Sequence, residues 1–196
     1  MMERLILASS SPRRQQLLRQ LGLEFDVFSS EVEEDVMKGE SPKDHVLRLA
    51  ELKARMVGEK YPNRWVIGAD TVVSIDERIL GKPQTDQEAY QMLSMLSGRE
   101  HLVVTGVSVC HGAKRKGETI AVETLVRIKT LNPDEITWYI RTGEPFDKAG
   151  GYAIQGRGAF MVQRIDGSYT NVVGLPLCEL LELLNRMEAA DLSRRL

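Results

Sequence analysis

The chain has 196 residues and a formal net charge of −2, with 42% hydrophobic and 28% charged residues. This length suffices for one domain with its own hydrophobic core, with or without two lobes around a cleft. The composition is near that of ordinary globular proteins and favours neither a disordered chain nor a membrane protein. It also argues against a protein whose main task is to coat nucleic acid, because such domains carry a large positive excess.

The first predicted elements are a strand, a turn and a helix. Residues 5–8 are apolar and run into three serines, after which Pro12 takes a position favoured at the first residue of a helix. Leucines at helical spacing follow, and Gly22 is a fitting residue to end the helix. Residues 25–28 predict a second strand.

A longer helix is predicted to begin at Ser41-Pro42. One of its faces is formed by residues spaced three and four apart: Val46, Leu49, Ala50, Lys53 and Val57. Lys53 is the only charged member of this apolar stripe. Snorkelling of its stem from the edge of the stripe explains it as well as a function does.

The middle of the chain predicts a strand over residues 65–75 that is interrupted at 68–71. A turn at Asp76-Glu77 leads back to a short segment that ends at Gly81-Lys82-Pro83. Asp86 is expected to cap a third helix, which ends at Ser97-Gly98.

Two β-rich stretches follow, at about 101–110 and 119–130, and the basic residues 114–116 between them are expected to form a solvated hairpin turn. A fourth helix is predicted from Asn132-Pro133 to Gly143.

The next segment, residues 144–158, holds four glycines and little periodicity, so we expect a long loop. Long loops inside a compact domain tend to be functional. A strand at 160–165, a turn at Asp166-Gly167 and a final helix from Pro176 complete the pattern, with a frayed helical tail expected after about residue 187.

The two cysteines, Cys110 and Cys178, are far apart and belong to no CxxC pair, which indicates neither a disulfide framework nor a structural zinc site. The N-terminal Met-Met-Glu-Arg leads directly into a short apolar run that is too short for a secretory signal. We therefore expect a cytoplasmic protein.

A candidate anion site lies at Ser9–Arg14, where hydroxyls and the two guanidinium groups of Arg13 and Arg14 meet a predicted helix N-terminus. Free N–H groups and the helix dipole favour a phosphate chain there. An ordinary helix cap with both arginines in solvent is the competing interpretation, and it is the commoner one for an arbitrary S-P-R-R segment.

Carboxylates form a second group of candidates. Glu31, Glu33, Glu34 and Asp35 are crowded after the second strand, where acidic clusters usually just face water. Asp70 differs because it interrupts an apolar strand, and an unpaired buried carboxylate is costly without a function or a partner. Asp70 and one of the glutamates could hold Mg²⁺ through oxygen ligands.

Three lysines, Lys53, Lys82 and Lys148, occupy positions that differ from plain surface and could neutralise phosphates. Gln155, in the glycine-rich segment, could bind a base edge through its amide.

The sequence contains neither of the phosphate- and dinucleotide-binding motifs GxxxxGK[ST] and GxGxxG. It also lacks the serine-hydrolase motif GxSxG and the metalloprotease motif HExxH. The three histidines are scattered and are expected to be structural or exposed. Phosphoanhydride chemistry, if present, would use carboxylates, a divalent ion and a cationic clamp.

Seven segments, in this order, resemble the Maf family: LILASSSPRRQQLLRQLG, EVEED, VIGADTVV, LGKP, LSGREH, EPFDKAGGYAIQG and GSYTNVVGLP. The likeness extends from about residue 4 to about residue 186. It implies an α/β fold with a mixed twisted sheet flanked by helices, two lobes around a cleft, and a relation to the inosine triphosphate pyrophosphatase fold. We expect a single Maf-like domain over residues 1–196.

The resemblance implies hydrolysis of a nucleoside triphosphate to its monophosphate and pyrophosphate, with Mg²⁺, Mn²⁺ or Co²⁺ as cofactor. Family members are commonly homodimers, and some have been described as inhibitors of septum formation. We expect no nucleic-acid or membrane partner.

Carried over onto this sequence, the resemblance implies that Asp70 is the general base and that Glu34 and Asp70 hold the metal. The implied triphosphate-binding residues are Ser9, Arg13, Arg14, Lys53 and Lys82. The residues that distinguish the dTTP/UTP pyrophosphatase branch from relatives that prefer 7-methyl-GTP correspond to Arg13, Thr71 and Gln155.

Alternatives remain at this point. The same reaction could act on a modified purine such as 7-methyl-GTP, or the chain could be a non-catalytic regulator of septum formation. A nucleic-acid-binding module is the weakest option, because the net charge is negative.

Overall fold

The structure is a computed structural model that describes residues 4–189. Its strands are β1 (Leu5–Leu7), β2 (Phe25–Val27), β3 (Trp65–Ile75), β4 (Arg78–Leu80), β5 (Glu100–His111), β6 (Lys116–Ile128) and β7 (Val162–Asp166). Its α-helices are α1 (Pro12–Gln20), α2 (Pro42–Lys60), α3 (Asp86–Leu96), α4 (Pro133–Arg141), α5 (Tyr169–Val173) and α6 (Leu177–Arg186). Three short 3₁₀ helices precede β7, at Glu144–Asp147, Ala149–Gly151 and Gly156–Met161.

The strands pair in one seven-stranded sheet in the order β2-β1-β3-β5-β6-β7, with β4 paired to β3 outside this path. Strand β1 is parallel to both β2 and β3, whereas β3 with β4 and β6 with β7 are antiparallel pairs. The predicted mixed sheet flanked by helices is therefore confirmed. The relation to the inosine triphosphate pyrophosphatase fold stays a prediction of the family resemblance.

The described chain divides into two compact units. Unit 1 contains the chain up to Asp70, Thr105–Val122 and the chain from Gly174 onward; unit 2 contains Thr71–Val104 and Glu123–Val173. Strands β3, β5 and β6 contribute residues to both units. The expectation of one domain over residues 1–196 stays a prediction.

In unit 1, helix α2 lies directly against the backbone of the sheet because two glycines leave room for it. A Cβ on Gly68 would lie 2.3 Å from the Ala50 carbonyl oxygen, and a Cβ on Gly106 would lie 2.1 Å from that of Val46. Atoms this close cannot coexist, so only glycine permits the approach. The apolar side chains beside this contact are Ile6, Ala8, Ala54, Val57 and Val66.

Unit 2 has its own apolar core, which α3 and α4 cover. Helix α4 begins with a capping box: Asn132 accepts from the Glu135 N–H, and the Glu135 carboxylate accepts from the Asn132 N–H. Tyr139 of α4 is fully buried. The core members that the helices and strands share are Val73, Ala89, Leu93, Leu96, Val126, Ile128, Ile136 and Tyr139.

Several predicted boundaries are confirmed. Ser41 accepts from the Asp44 N–H and caps α2. Pro12 is the first residue of α1, and residues 112–115 form the exposed turn between β5 and β6 that was expected at the basic segment. The predicted tail falls mainly on residues 190–196, which lie outside the described residues.

Other predicted boundaries are wrong. Strand β3 continues through 68–71 without interruption, because strand pairing and burial override the presence of Gly68 and Asp70. Thr85 rather than Asp86 caps α3, since its hydroxyl accepts from the Glu88 N–H. Helix α5 was not predicted, and the segment 144–158 is more ordered than an open loop because 3₁₀ helices occupy most of it.

Among the described residues, no helix is both long enough and apolar enough to cross a membrane.

The Gly106 contact gives a stability prediction. We expect Gly106→Ala to lower the free energy of unfolding by about 3 kcal/mol, because the new methyl group overlaps the backbone of α2. Urea unfolding measures this change. Gly117→Ala, on the neighbouring strand, is the matched control, since the nearest atom to its Cβ would be 3.6 Å away. Equal stability of the two variants would contradict the prediction.

Candidate functional site

The Lys53 ammonium links two carboxylates in unit 1. Its Nζ donates to Asp70 Oδ1 at 2.7 Å and to Glu34 Oε1 at 2.5 Å. Lys53 and Asp70 are buried, with relative exposures of 6% and 7%, whereas half of the Glu34 side chain is exposed. Snorkelling is therefore the wrong interpretation of Lys53: the ammonium lies inside the fold and is neutralised there.

Different elements supply the three members of this cluster. Asp70 lies on β3, Lys53 lies on the buried face of α2, and Glu34 lies on the irregular segment between β2 and α2. A buried unpaired charge would be costly, so each charge needs the others in place. The close contact of α2 with β3 at Gly68 brings Lys53 to Asp70.

The turn before α1 is also organised around a buried hydroxyl. Ser9 is 7% exposed, and its Oγ accepts from Arg14 Nη1 at 3.1 Å. Arg14 Nε donates to the Gly174 carbonyl oxygen at 2.8 Å. The side chain of Ser11, the cap residue of α1, makes no capping hydrogen bond. The competing prediction of an ordinary cap with both arginines in solvent is thus wrong for Arg14.

Electrostatics places this turn close to the carboxylates. Burial lowers the pKa of the Arg14 guanidinium, the negative charge of Asp70 raises it, the positive charge of Arg13 lowers it, and Glu34 raises it. The charges of Asp70, Arg13 and Glu34 therefore all act on the Arg14 guanidinium. Unit 1 brings six of the predicted site residues into a single charged neighbourhood: Ser9, Arg13, Arg14, Glu34, Lys53 and Asp70.

A separate ion-pair cluster holds the acidic segment on α2. The Arg48 guanidinium donates to both carboxylate oxygens of Glu40 and, through Nη2, to the Asp35 carbonyl oxygen at 3.0 Å. Glu40 also contacts His45 Nδ1 at 2.8 Å. The hydrogen bond from Arg48 lowers the pKa of Glu40 to about 2, which keeps this carboxylate ionised. Arg48 thus fixes the main chain at Asp35, the residue that follows Glu34.

The remaining predicted residues lie in unit 2. Thr71 is half-buried and follows Asp70 on β3, so the two side chains point to opposite faces of the strand. Lys82 is exposed. Gln155 is half-buried, and its Nε2 donates to the Tyr169 hydroxyl at 3.1 Å. The Lys148 ammonium is engaged structurally, since it donates to the Glu144 carbonyl oxygen and to Asp147 Oδ1.

The glycine-rich segment is built around the Glu144 carboxylate. It accepts from the N–H groups of Arg157 and Gly158, both at 3.0 Å, and from the Tyr139 hydroxyl at 3.0 Å. Burial raises the pKa of Glu144, but the two N–H groups, the Tyr139 hydroxyl and the charge of Lys148 together outweigh this effect, so the net shift is downward. A Cβ on Gly156 would lie 2.9 Å from Glu144 Oε2, and its φ of 70° is left-handed. Glycine is required there.

A buried pair fixes the same segment to β5. His101 Nε2 lies 2.7 Å from the Tyr152 hydroxyl, and their rings meet edge to face. His101 Nδ1 is buried and has no hydrogen-bond partner among residues 4–189. Burial lowers the pKa of His101 to about 4, so the ring is neutral near pH 7.

The expectation that the histidines are structural or exposed is confirmed, because His45, His101 and His111 are each buried in a different contact. The described residues contain no group of three or more His, Cys, Asp or Glu side chains that could hold a metal ion.

Sequence reasoning missed four residues that organise these sites: Glu40, Arg48, Glu144 and Tyr169. Glu144 and Tyr169 lie in the family-like segments EPFDKAGGYAIQG and GSYTNVVGLP, which was the available signal. Glu40 and Arg48 give no signal, because an acidic residue before a helix and an arginine within it are common.

The Asp70–Lys53–Glu34 cluster and the strand–turn–helix segment at Ser9–Arg14 agree with the family resemblance. The chain belongs to the Maf-like protein family, whose pattern matches residues 4–187.

Three similar proteins have the same name, dTTP/UTP pyrophosphatase. A dTTP/UTP pyrophosphatase of Syntrophus aciditrophicus is 50% identical over 97% of this chain and 93% of that protein. Those of Geotalea uraniireducens and Geobacter metallireducens are each 52% identical, over 95% of this chain and 96% and 97% of those proteins.

Two solved structures are distantly similar. The Ham1 protein of Staphylococcus aureus has a TM-score of 0.49 at 15% identity and covers 82% of this chain and 80% of its own. The HAM1 protein of Coxiella burnetii has a TM-score of 0.44 at 17% identity and covers 65% of this chain and 73% of its own.

The neutral His101 predicts how stability depends on pH. Its folded pKa of about 4 lies below its unfolded value of 6.5, so its contribution is fully present above pH 6.5 and is lost as the pH falls through 4. We expect this residue alone to account for about 3 kcal/mol of the acid loss. Urea unfolding from pH 4 to pH 7 should show a flatter profile for His101→Gln than for the wild type, and parallel profiles would contradict the assignment.

Proposed function

We propose that this protein hydrolyses dTTP and UTP, and modified pyrimidine nucleoside triphosphates, to the monophosphate and pyrophosphate. The observation that carries the proposal is the Asp70–Lys53–Glu34 cluster, in which Asp70 and Lys53 are buried, together with the Ser9–Arg14 turn. It combines a base and cation-binding carboxylates with a site for phosphate charge. The names of relatives that are about 50% identical over nearly the whole chain supply the substrate class.

The reaction breaks the anhydride between the α- and β-phosphates. A water oxygen adds to phosphorus, the water proton passes to a base, and pyrophosphate leaves. We assign the base to Asp70, because it is a carboxylate held rigidly on β3 with Lys53 bonded to one of its oxygens, Oδ1. The buried setting fixes its position without a reorganisation cost during the reaction.

We assign binding of the triphosphate to the positively charged side chains. In unit 1 these are Arg13, Arg14 and Lys53, supported by the Ser9 hydroxyl and by the dipole of α1, which begins at this turn. We also assign Lys82, in unit 2, to the triphosphate, because it corresponds to a triphosphate-binding position of the family. Positive side chains suit the charge of a nucleoside triphosphate, and the hydrogen bond of Arg14 to Gly174 holds its guanidinium in a fixed direction.

We propose that Glu34 and Asp70 hold a divalent cation, Mg²⁺, Mn²⁺ or Co²⁺. The ammonium of Lys53 already lies between Glu34 Oε1 and Asp70 Oδ1, so the two oxygens accommodate a positive charge. Two carboxylates with phosphate and water oxygens form a donor set that Mg²⁺ favours. When bound, the cation would polarise the phosphate and acidify a coordinated water.

Binding of the nucleobase is assigned to Arg13, Thr71 and Gln155. These residues correspond to the positions that separate the dTTP/UTP branch from relatives that prefer 7-methyl-GTP. Gln155 has an amide that can donate to and accept from a pyrimidine edge. We also propose that the protein is a cytoplasmic homodimer; the free thiols of Cys110 and Cys178 agree with a reducing compartment.

Asp70→Asn tests the assignment of Asp70 as the general base. We expect kcat for UTP to fall by about 10²-fold or more, because the amide cannot accept the water proton. Pyrophosphate release measures turnover, and circular dichroism measures folding. Asp76→Asn, directly after the same strand and on a largely exposed side chain, is the matched control and should leave kcat unchanged. Full activity of Asp70→Asn would refute the assignment.

Lys53→Met tests the proposed cation site without a turnover assay. Removing the ammonium frees both carboxylates and removes a competing positive charge. We therefore expect Mn²⁺, titrated in the absence of nucleotide and followed by electron paramagnetic resonance, to bind roughly tenfold more tightly, a gain of about 1.4 kcal/mol.

The matched control for this titration is Lys60→Met, in the last turn of the same helix, which should bind Mn²⁺ like the wild type. Unchanged or weaker Mn²⁺ binding by Lys53→Met would show that Glu34 and Asp70 do not form the cation site.

A further inference from the structure

Glu34, which we assign to the cation site together with Asp70, lies in an exposed part of the chain. Residues 31–40 form neither helix nor strand, and residues 33–39 are all exposed. Exposed irregular segments open locally at a small cost in free energy. The Glu34 carboxylate meets the buried ammonium of Lys53 only while this segment stays closed on α2.

The Arg48 guanidinium holds the main chain beside Glu34. Its Nη2 donates to the Asp35 carbonyl oxygen at 3.0 Å. Asp35 follows Glu34 directly, and consecutive Cα atoms are about 3.8 Å apart, so a fixed peptide at Asp35 leaves Glu34 little freedom. Helix α2 thus contacts this part of the chain twice, through Arg48 at the main chain and through Lys53 at the carboxylate.

Glu40 gives the guanidinium a fixed direction. Arg48 Nε donates to Glu40 Oε1 at 2.6 Å and Nη2 donates to Oε2 at 2.9 Å, the paired arrangement that suits an arginine and a carboxylate. The Glu40 side chain is 7% exposed and also contacts His45 Nδ1 at 2.8 Å. The guanidinium therefore has one orientation, in which Nη2 is directed at Asp35.

Glu40 also fixes the end of the exposed segment. Its N–H donates to the Met37 carbonyl oxygen at 3.1 Å, and the Met37 N–H donates to Glu40 Oε2 at 3.0 Å. Gly39, with a φ of 79°, supplies the left-handed residue that such a turn requires in its third position. Arg48 thus acts on the segment at two places, directly at Asp35 and through Glu40 at this turn.

The helix that carries Arg48 is a rigid base at this point. Ser41 caps α2, and a Cβ on Gly106 of β5 would lie only 2.1 Å from the Val46 carbonyl oxygen. Val46 is fully buried and precedes Arg48 by two residues. The contacts of Arg48 therefore tie an exposed segment to a part of α2 that is packed against a strand.

We propose that Arg48 is a positioning residue of the cation site. By fixing the main chain at Asp35, it holds the Glu34 carboxylate beside Asp70 before the cation arrives. The inference rests on the proposed function, in which Glu34 and Asp70 hold a divalent cation. A carboxylate that is already in place loses less conformational freedom on binding, and the apparent affinity falls with the fraction of molecules in which the segment is closed.

The charge of Arg48 acts in the opposite direction to its proposed role. A guanidinium near a cation site repels the cation, so its removal alone should strengthen the binding of a divalent ion. Release of the segment should weaken the same binding. The sign of the change therefore separates a positional effect from an electrostatic one.

The test titrates Mn²⁺ into the intact protein in the absence of nucleotide and follows the free ion by electron paramagnetic resonance. We expect Arg48→Met to bind Mn²⁺ roughly three- to tenfold more weakly, the range of one net hydrogen bond. Arg55→Met, on a largely exposed arginine of the same helix, is the matched control and should bind like the wild type. Unchanged or tighter binding by Arg48→Met would overturn the inference.

Loss of the guanidinium leaves the Glu40 carboxylate with fewer donors, so urea unfolding accompanies the titration. Should Arg48→Met fail to fold, Arg48→Lys decides, because its ammonium still neutralises Glu40 but lacks the fork that also reaches Asp35. Arg48→Lys should bind Mn²⁺ more weakly than the wild type, and equal binding would then overturn the inference.

A double-mutant cycle with Glu34→Gln separates positioning from a general structural role. If Arg48 acts through Glu34, its substitution causes no further weakening of Mn²⁺ binding in the Glu34→Gln background. An equal weakening in both backgrounds would contradict the inference, because Arg48 would then support the site without Glu34.

Cleavage by trypsin after Lys38 reports on the segment without any metal. Lys38 is exposed and lies within the turn that Glu40 closes. Proteolysis of a folded protein tracks the population of its opened form. Arg48→Met should therefore speed this cleavage at least as much as it weakens Mn²⁺ binding, whereas Arg55→Met should not. A cleavage rate equal to that of the wild type would show that Arg48 does not hold the segment and would overturn the inference.

Failure of the proposed function gives a different result. If Glu34→Gln alone leaves Mn²⁺ binding unchanged, Glu34 does not hold the cation, and both that assignment and this inference are refuted. If Glu34→Gln weakens Mn²⁺ binding and Arg48→Met does not, only the role of Arg48 is refuted.

Discussion

The charge of Lys53 is the constraint on which the site of unit 1 depends. An ammonium placed in the apolar stripe of a helix is costly unless carboxylates neutralise it, and Asp70 and Glu34 both do so. Each of the three groups comes from a different segment, so satisfying one charge fixes the relative position of strand, helix and loop. The arrangement that neutralises the buried Lys53 ammonium also places two carboxylates around one cation.

That charge can be neutralised only because α2 lies unusually close to the strands. Gly68 and Gly106 remove the side chains that would keep the helix away, and the helix backbone takes their place. Gly68 precedes Asp70 by two residues, so the close contact and the carboxylate belong to the same short piece of β3. The family-like segment VIGADTVV therefore encodes a packing requirement and a chemical group together.

Much of the fold could be predicted from local patterns, because prolines, glycines and helical spacing act over a few residues. The start of α2 at Ser41 and the turn before α1 are examples. The uninterrupted β3 was missed because Gly68 and Asp70 look like strand breakers until their partners on α2 are known. The role of Lys53 could not be decided from sequence, because its partners lie 19 and 17 residues away.

Carboxylates of this protein divide into structural and chemical groups according to how many donors they accept. Glu40 accepts from Arg48 and His45 as well as the backbone, and Glu144 accepts from two N–H groups and a tyrosine hydroxyl. Donors on this scale stabilise the ionised form and lower the pKa, so these groups make poor proton acceptors. Asp70 and Glu34 share a single ammonium instead. A carboxylate pair bridged by one lysine differs in this respect from the acidic residues that hold loops in place, and this difference supports the roles proposed for Asp70 and Glu34.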